Sequence, residues 1–439
     1  MFQKYKAILM KFNVMDIKKK LGVAHAFYKE YRQWMNIRAR IQPCYSDSKH
    51  LVIVPCDPWT VGGSRGDEAM IMAVIHYFRN KYPHIPIIMV SGSNEGDRYI
   101  NTFPIPNVKG LRLWNGNYPL ERIYDGIMEQ HPTHVVLLGA DCMDGFYSPF
   151  ISLTLLALHD LFSNTSGIES RMMGFSFNER PYWLLKWAYN QLNEGVTLNL
   201  RDQLSLSRFR KFTKKDAGLV ADSAFLLQPS YNFNGYVRLE AWVKSRRQNG
   251  TKFIIGMNFH PMLRKYNGED DIKADALIIA KNLETILHDR ADIDFVFIPH
   301  DNRSCLTDNL MLSEMYMYLC ACGFDKRVYY EQQVYRADQL KGICSLIDGI
   351  VSSRMHLAIA ALGQGRSVMA ASYQGKFEGL FQHFNLPLRY ILSADKFISN
   401  DMVISFFDYI DNLTELNAMV GKELPKVLRL SQNNMLSFH

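Results

Sequence analysis

The sequence is poor in cysteine and lacks a long apolar run. Its seven cysteines are scattered and never spaced as Cys-x-x-Cys, which argues against a disulfide framework and a structural zinc site. The longest uncharged stretch near the middle, residues 145–158, is too short to span a bilayer, which takes about 20 apolar residues. The N-terminus also lacks the apolar core of a signal peptide. We therefore expect a protein of the reducing cytoplasm.

Acidic residues are scarce at the N-terminus, so the net charge of +7 is unevenly distributed. Residues 1–43 contain ten lysines and arginines and two acidic residues, a net charge of +8, which leaves the remaining chain at −1. A nearly neutral body argues against a general nucleic-acid surface. The chain has 439 residues, of which 48% are hydrophobic, and this length predicts two large domains or three smaller ones.

Residues 1–45 form a basic amphipathic segment that is expected to be helical. Its apolar residues interleave with lysines and arginines, and Pro43 ends the pattern. Basic helices that carry aromatic residues often lie on anionic membrane surfaces. The same pattern also fits a solvated helix packed on the body of the protein or on a partner subunit. Both surfaces, an anionic membrane bound through residues 1–43 and a protein surface, stay open from the sequence.

Beyond residue 45, short apolar runs alternate with amphipathic stretches, which predicts an α/β fold with mostly parallel strands. The turn-rich residues 229–236 divide this region into halves at 46–230 and 231–439, and the helical tail at 401–428 is expected to pack across both. Two Rossmann-like domains facing each other across a cleft match a GT-B-like architecture. The predicted strands are residues 51–56, 85–91, 134–139, 172–177, 197–200, 253–258, 295–299, 328–330, 346–351 and 367–371.

The most informative stretch combines a buried strand, a two-serine turn and a helix that begins near Arg354. Ser352 or Ser353 is expected to cap this helix, because a serine oxygen accepts from the N–H groups of a first turn. Arg354 and His356 would then lie in that turn, where the helix dipole attracts anions. The pattern predicts a phosphate or carboxylate site. The alternative is a surface arginine beside a hydrogen-bonded core histidine.

Polar residues also follow other predicted strands. Asp141 and Asp144 come after the strand at 134–139, where they could act as acid, base or metal ligands, or could cap the next turn. Arg201 lies at the tip of the strand at 197–200 and is a second candidate anion ligand. The glycine-containing loop at 61–68 precedes a helix, but it matches neither the dinucleotide-binding fingerprint nor a P-loop.

Four blocks of this sequence resemble the polysaccharide pyruvyl transferase family. The most specific is residues 353–365 followed by Tyr373-Gln374-Gly375-Lys376, which resembles the family's S-x-R-x-H helix and its Y-x-x-K block. The other three are weak alone and informative together. They are residues 62–69, similar to G-N-x-G-D-x-A; residues 200–205, similar to R-D-x-x-S; and residues 221–225, similar to D-x-A-F.

The resemblance implies transfer of pyruvate from phosphoenolpyruvate to two hydroxyls of one sugar, forming a cyclic ketal and releasing phosphate. A lipid-linked acceptor on the cytoplasmic leaflet would give the basic N-terminal segment a purpose, and the protein would then be peripheral on the inner face of the membrane. This chemistry requires neither a metal nor a cofactor. The implied donor-binding residues are Arg201, Arg354 and Lys376, because arginine and lysine bind phosphate and carboxylate, with Gly63 and Asp67 from the first loop.

His356 is the implied general acid, since an imidazole transfers protons near neutral pH. Its proton would go to the phosphoenolpyruvate methylene or to the departing phosphate. Asp141 or Asp67 would act as the base that deprotonates the attacking sugar hydroxyl. The sequence departs from the family pattern at Gly63, which replaces an asparagine, and at residues 138–141, where the family commonly has a run of glycines.

Two other functions fit the same fold. A GT-B glycosyltransferase that uses a nucleotide sugar would need a carboxylate for the ribose, and Glu378 is the nearby candidate, although Lys376 beside it favours an anion. The chain could also be an inactive scaffold within a glycan-assembly complex. The presence of Arg201, Arg354, His356 and Lys376 argues against that hypothesis.

Overall fold

The computed structural model describes residues 14–436 and 438, except for 116–119, 262, 265, 267, 302–306 and 373–374, and it describes side chains from residue 21 onward. The chain forms two α/β halves, each built on a parallel sheet. This confirms the GT-B-like architecture predicted from the sequence.

The first half contains a five-stranded sheet in the order β3-β2-β1-β4-β5, with all neighbours parallel. Helices connect the strands and cover the sheet. The elements are α1 (Val14–Arg38), β1 (Leu51–Val54), α2 (Arg65–Lys81), β2 (Ile87–Ser91), α3 (Asn94–Asn101), β3 (Val108–Arg112), α4 (Leu120–Met128), β4 (His134–Leu137), α5 (Pro149–Ser163), β5 (Glu169–Met172), α6 (Trp183–Asn190), β6 (Asn199–Leu200), α7 (Gln203–Phe212), β7 (Gly218–Leu219) and a 3₁₀ turn (Ser223–Leu226).

The second half contains a six-stranded parallel sheet in the order β10-β9-β8-β11-β12-β13. Its elements are α8 (Asn234–Gln248), β8 (Phe253–Asn258), α9 (Glu269–Asp289), β9 (Ile293–Phe297), α10 (Asn309–Ala321), β10 (Val328–Tyr330), α11 (Ala337–Ile343), β11 (Gly349–Ser352), α12 (Met355–Leu362), β12 (Ser367–Ser372), α13 (Phe377–His383), β13 (Ile391–Ser393), α14 (Ala394–Phe397), α15 (Asp401–Asp411) and α16 (Leu413–Gln432).

Strand order reverses at the centre of each sheet, between β1 and β4 in the first half and between β8 and β11 in the second. Connections leave such a switch point in opposite directions and open a crevice beyond the carboxyl ends of the two strands. Two crevices are therefore available for ligands, one in each half.

The tail joins the two halves, as the sequence predicts. In α16, Asn417 accepts from the backbone of Ser367 in the second half at 2.7 Å. Farther along, Ser431 donates to the carbonyl of Asp222, and Asn434 accepts from the backbone of Gly174 at 2.7 Å. Ser431 and Asn434 therefore pack on the first half.

Four strand predictions differ from the structure, and one of them is the two-residue strand β7, which is absent from the prediction. Residues 172–177 were expected to form a strand, but β5 ends at Met172, and Phe175 instead forms an isolated bridge with Leu200. The strands β3 and β13 are absent from the prediction. Both are edge strands; β3 carries exposed charged residues and β13 is only three residues long. Edge strands commonly carry charge to prevent pairing with other chains, which removes the apolar signal on which the prediction depends.

Helix α1 is part of the folded body in its described residues. Phe27, Trp34 and Ile37 are buried, and the indole N–H of Trp34 donates to Asp160 in α5 at 2.9 Å. Arg38 also binds the buried Asp160 carboxylate. The apolar face of α1 is therefore covered by protein, and residues 1–13 lie outside the described part. Among the described helices, none combines the length and the apolarity needed to cross a bilayer.

Replacing Trp34 with alanine is expected to lower the free energy of unfolding by about 3–5 kcal/mol, the range for deleting a large buried aromatic side chain. The cause is the cavity left between α1 and the body, together with the lost donor to Asp160. Urea denaturation followed by circular dichroism measures this change, and Tyr28→Ala on the exposed face of α1 serves as the control. A Trp34→Ala midpoint equal to that of the control would mean that α1 does not stabilise the body.

Candidate functional site

A cavity of about 650 Å³ lies between the two halves and receives residues from both switch points. In the first half, Cys56 follows β1 and Asp141 follows β4; in the second half, His260 follows β8 and Arg354 follows β11. The carboxyl ends of all four central strands therefore supply residues to one shared space. Glu68 of α2 accepts from the backbone of Ala337 at 2.7 Å and joins the halves nearby.

Arg201 enters the cavity from the tip of β6 and is 4% exposed. Its Nε donates to Ser176 at 2.6 Å, and a terminal nitrogen donates to Asp222 at 2.9 Å. The other terminal nitrogen faces the sulfur of Met355 at 3.9 Å, a weak acceptor. The guanidinium is thus held firmly on one side, and its other side meets only a weak partner that an anion could replace.

Arg354 is held by two carboxylates from the region that follows β9. Its Nε and one terminal nitrogen donate to Asp308 Oδ1 at 3.1 and 2.6 Å, and the other terminal nitrogen lies 3.0 Å from Asp301 Oδ2. The Asp308 carboxylate is fully buried and also accepts from Asn258 and from the backbone of His300. These contacts fix the orientation of the guanidinium at the cavity wall.

The turn before α12 differs from the prediction that Ser352 or Ser353 caps this helix. Arg354 itself is the N-cap residue, and its side chain accepts no capping hydrogen bond. Ser352 Oγ accepts from the backbone of Arg354 at 3.1 Å, whereas Ser353 Oγ accepts from the backbone of His260 at 2.6 Å. The serines therefore fix the turn and tie β11 to β8 instead of capping the first helical turn.

Lys376 and Asp141 form an ion pair across the two halves, with Nζ 2.5 Å from Oδ2. The hydroxyl of Tyr147 donates to the same carboxylate oxygen at 3.1 Å, and Lys376 Nζ lies 3.3 Å from that hydroxyl. Burial opposes ionisation of Asp141, but the charges of Lys376 and Arg201, with the Tyr147 hydroxyl, lower its pKa to about 2. Asp141 is therefore a weak proton acceptor while Lys376 stays beside it.

His356 lies in the first turn of α12 and faces Asp222 of the first half. Its Nε2 is 3.5 Å from Asp222 Oδ2, an ion-pair distance that is long for a hydrogen bond. Burial raises the pKa of Asp222, but contacts with His356, Arg201 and the backbone of Ala224 together hold it well below its usual value. The Asp222 carboxylate therefore accepts a hydrogen bond from the Arg201 guanidinium and lies at ion-pair distance from the imidazole.

His356 packs directly against the backbone of Gly66 in α2. A Cβ atom at Gly66 would lie 2.2 Å from Nδ1 of His356, closer than any allowed contact. Position 66 therefore needs glycine so that the imidazole of His356 can approach α2.

If the imidazole takes part in proton transfer, Gly66→Ala should displace it and lower turnover by roughly tenfold or more, up to the 10²–10⁴-fold contribution of a positioned general acid. The matched control is Gly421→Ala in α16, where a Cβ atom meets nothing within 4 Å. Turnover and melting temperature should be measured for both variants. Unchanged turnover in Gly66→Ala would show that the position of His356 does not matter to the chemistry.

The cavity brings together most of the residues singled out in the sequence. Those that line it are Asp67, Asp141, Arg201, Arg354, His356 and Lys376. Asp67 is buried and accepts from the thiol of Cys56 at 3.4 Å. Gly63 is not among the lining residues; its N–H donates to Thr60, and the neighbouring Ser64 faces the cavity instead. Asp144 takes the capping alternative, since its carboxylate accepts from the backbone of Phe146 and Asn178.

Several site residues were missed by the sequence reasoning. Asp222 belongs to the D-x-A-F block, which marks the family resemblance, but the sequence assigned no role to this residue. His260, His300, Asp308 and Tyr147 have no sequence motif that marks them. Burial and the neighbouring Arg354 hold the pKa of His300 well below its ordinary value, so this imidazole is a neutral hydrogen-bonding group of the wall.

The model of one protein family, described as polysaccharide pyruvyl transferase, matches residues 65–375. The chain belongs to the polysaccharide pyruvyl transferase family. The matched region runs from the start of α2 to the turn after β12 and includes Asp67, Asp141, Arg201, Arg354 and His356. Lys376 follows the last matched residue directly. The membership confirms the resemblance drawn from the sequence blocks.

Solved structures support the fold at low sequence identity. The UDP-GlcNAc 2-epimerase from Neisseria meningitidis bound to UDP-GlcNAc is 13% identical, with a TM-score of 0.53 over 88% of this chain and 98% of that one. A UGT transferase from Siraitia grosvenorii in complex with UDP is 9% identical, with a TM-score of 0.52 and the same coverage. No curated protein matches the sequence. At these identities the likeness concerns the fold alone.

Proposed function

We propose that this family member transfers the pyruvyl group of phosphoenolpyruvate to two hydroxyls of one sugar, in a cell-surface polysaccharide or its lipid-linked precursor. The observation that carries the proposal is the convergence of Arg201, Arg354 and Lys376 around His356 in one cavity between the halves. Phosphoenolpyruvate carries a phosphate and a carboxylate, and guanidinium and ammonium groups bind both.

The overall reaction forms two C–O bonds and breaks one. Carbon 2 of the enolpyruvyl group gains bonds to both sugar oxygens and loses its bond to the phosphate oxygen. Of the two hydroxyl protons released, one is matched by the proton that converts the methylene to a methyl group, and the other leaves with the phosphate. The reaction is balanced without an oxidant or a cofactor.

Lys376 is the cation best suited to exchange its partner for the donor. The side chain of its partner Asp141 is 27% exposed, whereas Asp222 and Asp308, which hold the two arginines, are 4% and 0% exposed. Replacing a buried partner would leave a carboxylate desolvated without its cation, which is costly. The donor phosphate would therefore pair with Lys376. The two arginines would keep their carboxylate partners and bind the donor through their remaining N–H groups.

Donor binding would also change the chemistry of Asp141. The ammonium group of Lys376 and the guanidinium of Arg201 lower the pKa of Asp141, whereas burial raises it. Once phosphate neutralises Lys376, the pKa should rise, and the carboxylate becomes a better base for the sugar hydroxyl. Asp57 and Asp67 also line the cavity, and Asp67 is the alternative base.

His356 would serve as the general acid that supplies the methylene proton. Asp222 is close enough to stabilise the protonated imidazole, and the contact with Gly66 fixes the ring. A packed histidine with a carboxylate at ion-pair distance suits a proton-transfer group.

The direct test is a turnover assay with phosphoenolpyruvate and the methyl glycosides of galactose, glucose, mannose and N-acetylglucosamine. We expect sugar-dependent release of phosphate together with acid-labile pyruvate on the sugar. Phosphoenolpyruvate that neither binds nor reacts would contradict the proposal and would favour the inactive scaffold or another donor.

A nucleotide-sugar donor is the competing hypothesis, because structural neighbours were solved with UDP or UDP-GlcNAc. Such a donor needs a carboxylate at the ribose. Glu378, the candidate from the sequence, is not among the described residues that line the cavity. The basic residues of the cavity therefore favour phosphoenolpyruvate, a small donor that carries both a phosphate and a carboxylate.

We also propose that the protein acts on the cytoplasmic face of the membrane. Because the side of α1 with Phe27, Trp34 and Ile37 is covered, we propose that residues 1–13, with Lys4, Lys6 and Lys11, contribute to contact with anionic lipid. Deletion of residues 1–13 should reduce sedimentation with phosphatidylglycerol vesicles at low salt without changing the melting temperature. Equal sedimentation of the deletion variant would move any membrane contact to another surface.

A further inference from the structure

Two aromatic side chains stand exposed at the cavity wall. Phe146 and Tyr147 are 59% and 53% exposed, and both line the cavity. Their ring centroids are 5.2 Å apart with planes nearly perpendicular. Among the phenylalanines of the described residues, Phe146 alone is exposed over more than half of its surface. An exposed aromatic pair in a ligand cavity commonly marks a binding surface.

The loop that carries the pair is held in place by buried contacts. Asp144 is fully buried, and its two carboxylate oxygens accept from the backbone of Phe146 at 2.9 Å and of Asn178 at 3.0 Å. Its carbonyl accepts from Tyr182 at 2.7 Å. Gly145 adopts a φ of +77°, which glycine tolerates best. These hydrogen bonds fix the loop, and the loop holds both aromatic rings at the cavity wall.

Polar groups border the aromatic surface. The Tyr147 hydroxyl donates to Asp141, and Lys376 Nζ lies 5.7 Å from the centroid of the Tyr147 ring. A three-carbon phosphate donor occupies only part of a 650 Å³ cavity, because cavities of about 300–1,000 Å³ accommodate drug-sized ligands. Room for a second ligand remains on this side.

We infer that Phe146 and Tyr147 form the acceptor subsite, where the C–H face of a pyranose ring stacks while its hydroxyls reach Asp141 and Lys376. The inference rests on the proposed pyruvyl transfer, since it assigns the second substrate of that reaction. The hydrogens of sugar C–H bonds carry a small positive charge and are attracted to the negative face of an aromatic ring. Hydroxyls at the rim of the stacked ring would then point towards the donor.

Saturation-transfer NMR on the full chain tests the subsite without turnover. The probes are methyl glycosides of galactose, glucose, mannose and N-acetylglucosamine, because a methyl aglycone cannot itself stack. At least one probe should receive saturation at its ring protons, and Phe146→Ala should clearly reduce this transfer at the same probe concentration. Phe146→Trp should retain it. The matched control is Trp183→Ala, an aromatic side chain that is 60% exposed and outside the cavity lining.

Kinetics give the second readout. In Phe146→Ala the KM for the sugar should rise roughly tenfold, the effect of losing a favourable aromatic contact, with kcat and phosphoenolpyruvate affinity unchanged. No transfer to any of the four probes, or equal transfer in Phe146→Ala, would overturn the subsite. If the protein is a dimer and Phe146→Ala dissociates it, the aromatic pair is a subunit interface, and the acceptor subsite is also overturned. Absence of phosphoenolpyruvate binding in calorimetry would refute the proposed function separately, because the NMR experiment does not need the donor.

Discussion

Replacing His356 with glutamine should lower the turnover number by a factor of about 10²–10⁴, the contribution of a positioned general acid. The imidazole lies in the cavity, 3.5 Å from Asp222, and contacts the backbone of Gly66. Glutamine keeps a polar group of similar length but cannot deliver a proton to the methylene carbon. The affinity for phosphoenolpyruvate, measured by calorimetry, should change little, because we propose that the arginines and Lys376 bind this donor.

His76→Gln provides the matched control for this prediction. His76 is also half-buried, lies in α2 and is not among the residues that line the cavity. Turnover and melting temperature should be measured in parallel for both variants. A His356→Gln loss smaller than tenfold, or one that only follows a lower melting temperature, would leave His356 as a structural histidine.

Arg354→Lys should weaken phosphoenolpyruvate binding by about 10- to 150-fold, which corresponds to roughly 1.5–3 kcal/mol for a hydrogen bond to a charged group. Lysine keeps the charge but loses the planar fork that can grip Asp308 and the donor together. Alanine is a poorer test. It would remove the cation from the fully buried Asp308, and breaking such a pair costs about 3–5 kcal/mol of stability.

Arg246→Lys is the control for the stability change alone. Arg246 is 16% exposed and pairs with the fully buried Asp294 at 2.7 Å, whereas Arg354 is 12% exposed and pairs with Asp308. Arg246→Lys should cost no more stability than Arg354→Lys, because Asp294 keeps Arg327 as a second cation, and only Arg354→Lys should weaken donor binding. Equal donor affinity in Arg354→Lys and the wild type would remove Arg354 from the binding site.

The fold was predictable where burial leaves a strong apolar signal. The central strands β1, β4, β8 and β11 are buried along their whole length or nearly so, and their runs of apolar residues are visible in the sequence. The edge strands β3 and β13 carry no such signal and were missed. The strand β5 ends at Met172, and Phe175 pairs with Leu200 instead. This is a tertiary contact that the local sequence pattern does not encode.

The site was predictable where one short motif carries the chemistry. Arg354 and His356 are two residues apart and follow a strand, so their proximity to a ligand crevice follows from the topology. Their partners are distant in the sequence: Asp308 is 46 residues before Arg354, and Asp222 lies in the other half. The sequence therefore indicates the cations of the site but not the carboxylates that hold them, and it gave no sign of the aromatic pair at Phe146 and Tyr147.

The central claim is that the cavity between the two switch points binds phosphoenolpyruvate. Calorimetric titration of the full-length protein with phosphoenolpyruvate, and separately with UDP-GlcNAc, tests it most directly. The account predicts saturable binding of phosphoenolpyruvate that weakens in Arg354→Lys but not in Arg246→Lys, and no saturable binding of UDP-GlcNAc. Saturable UDP-GlcNAc binding with no response to phosphoenolpyruvate would contradict the account: the fold would stand, and the donor would be a nucleotide sugar.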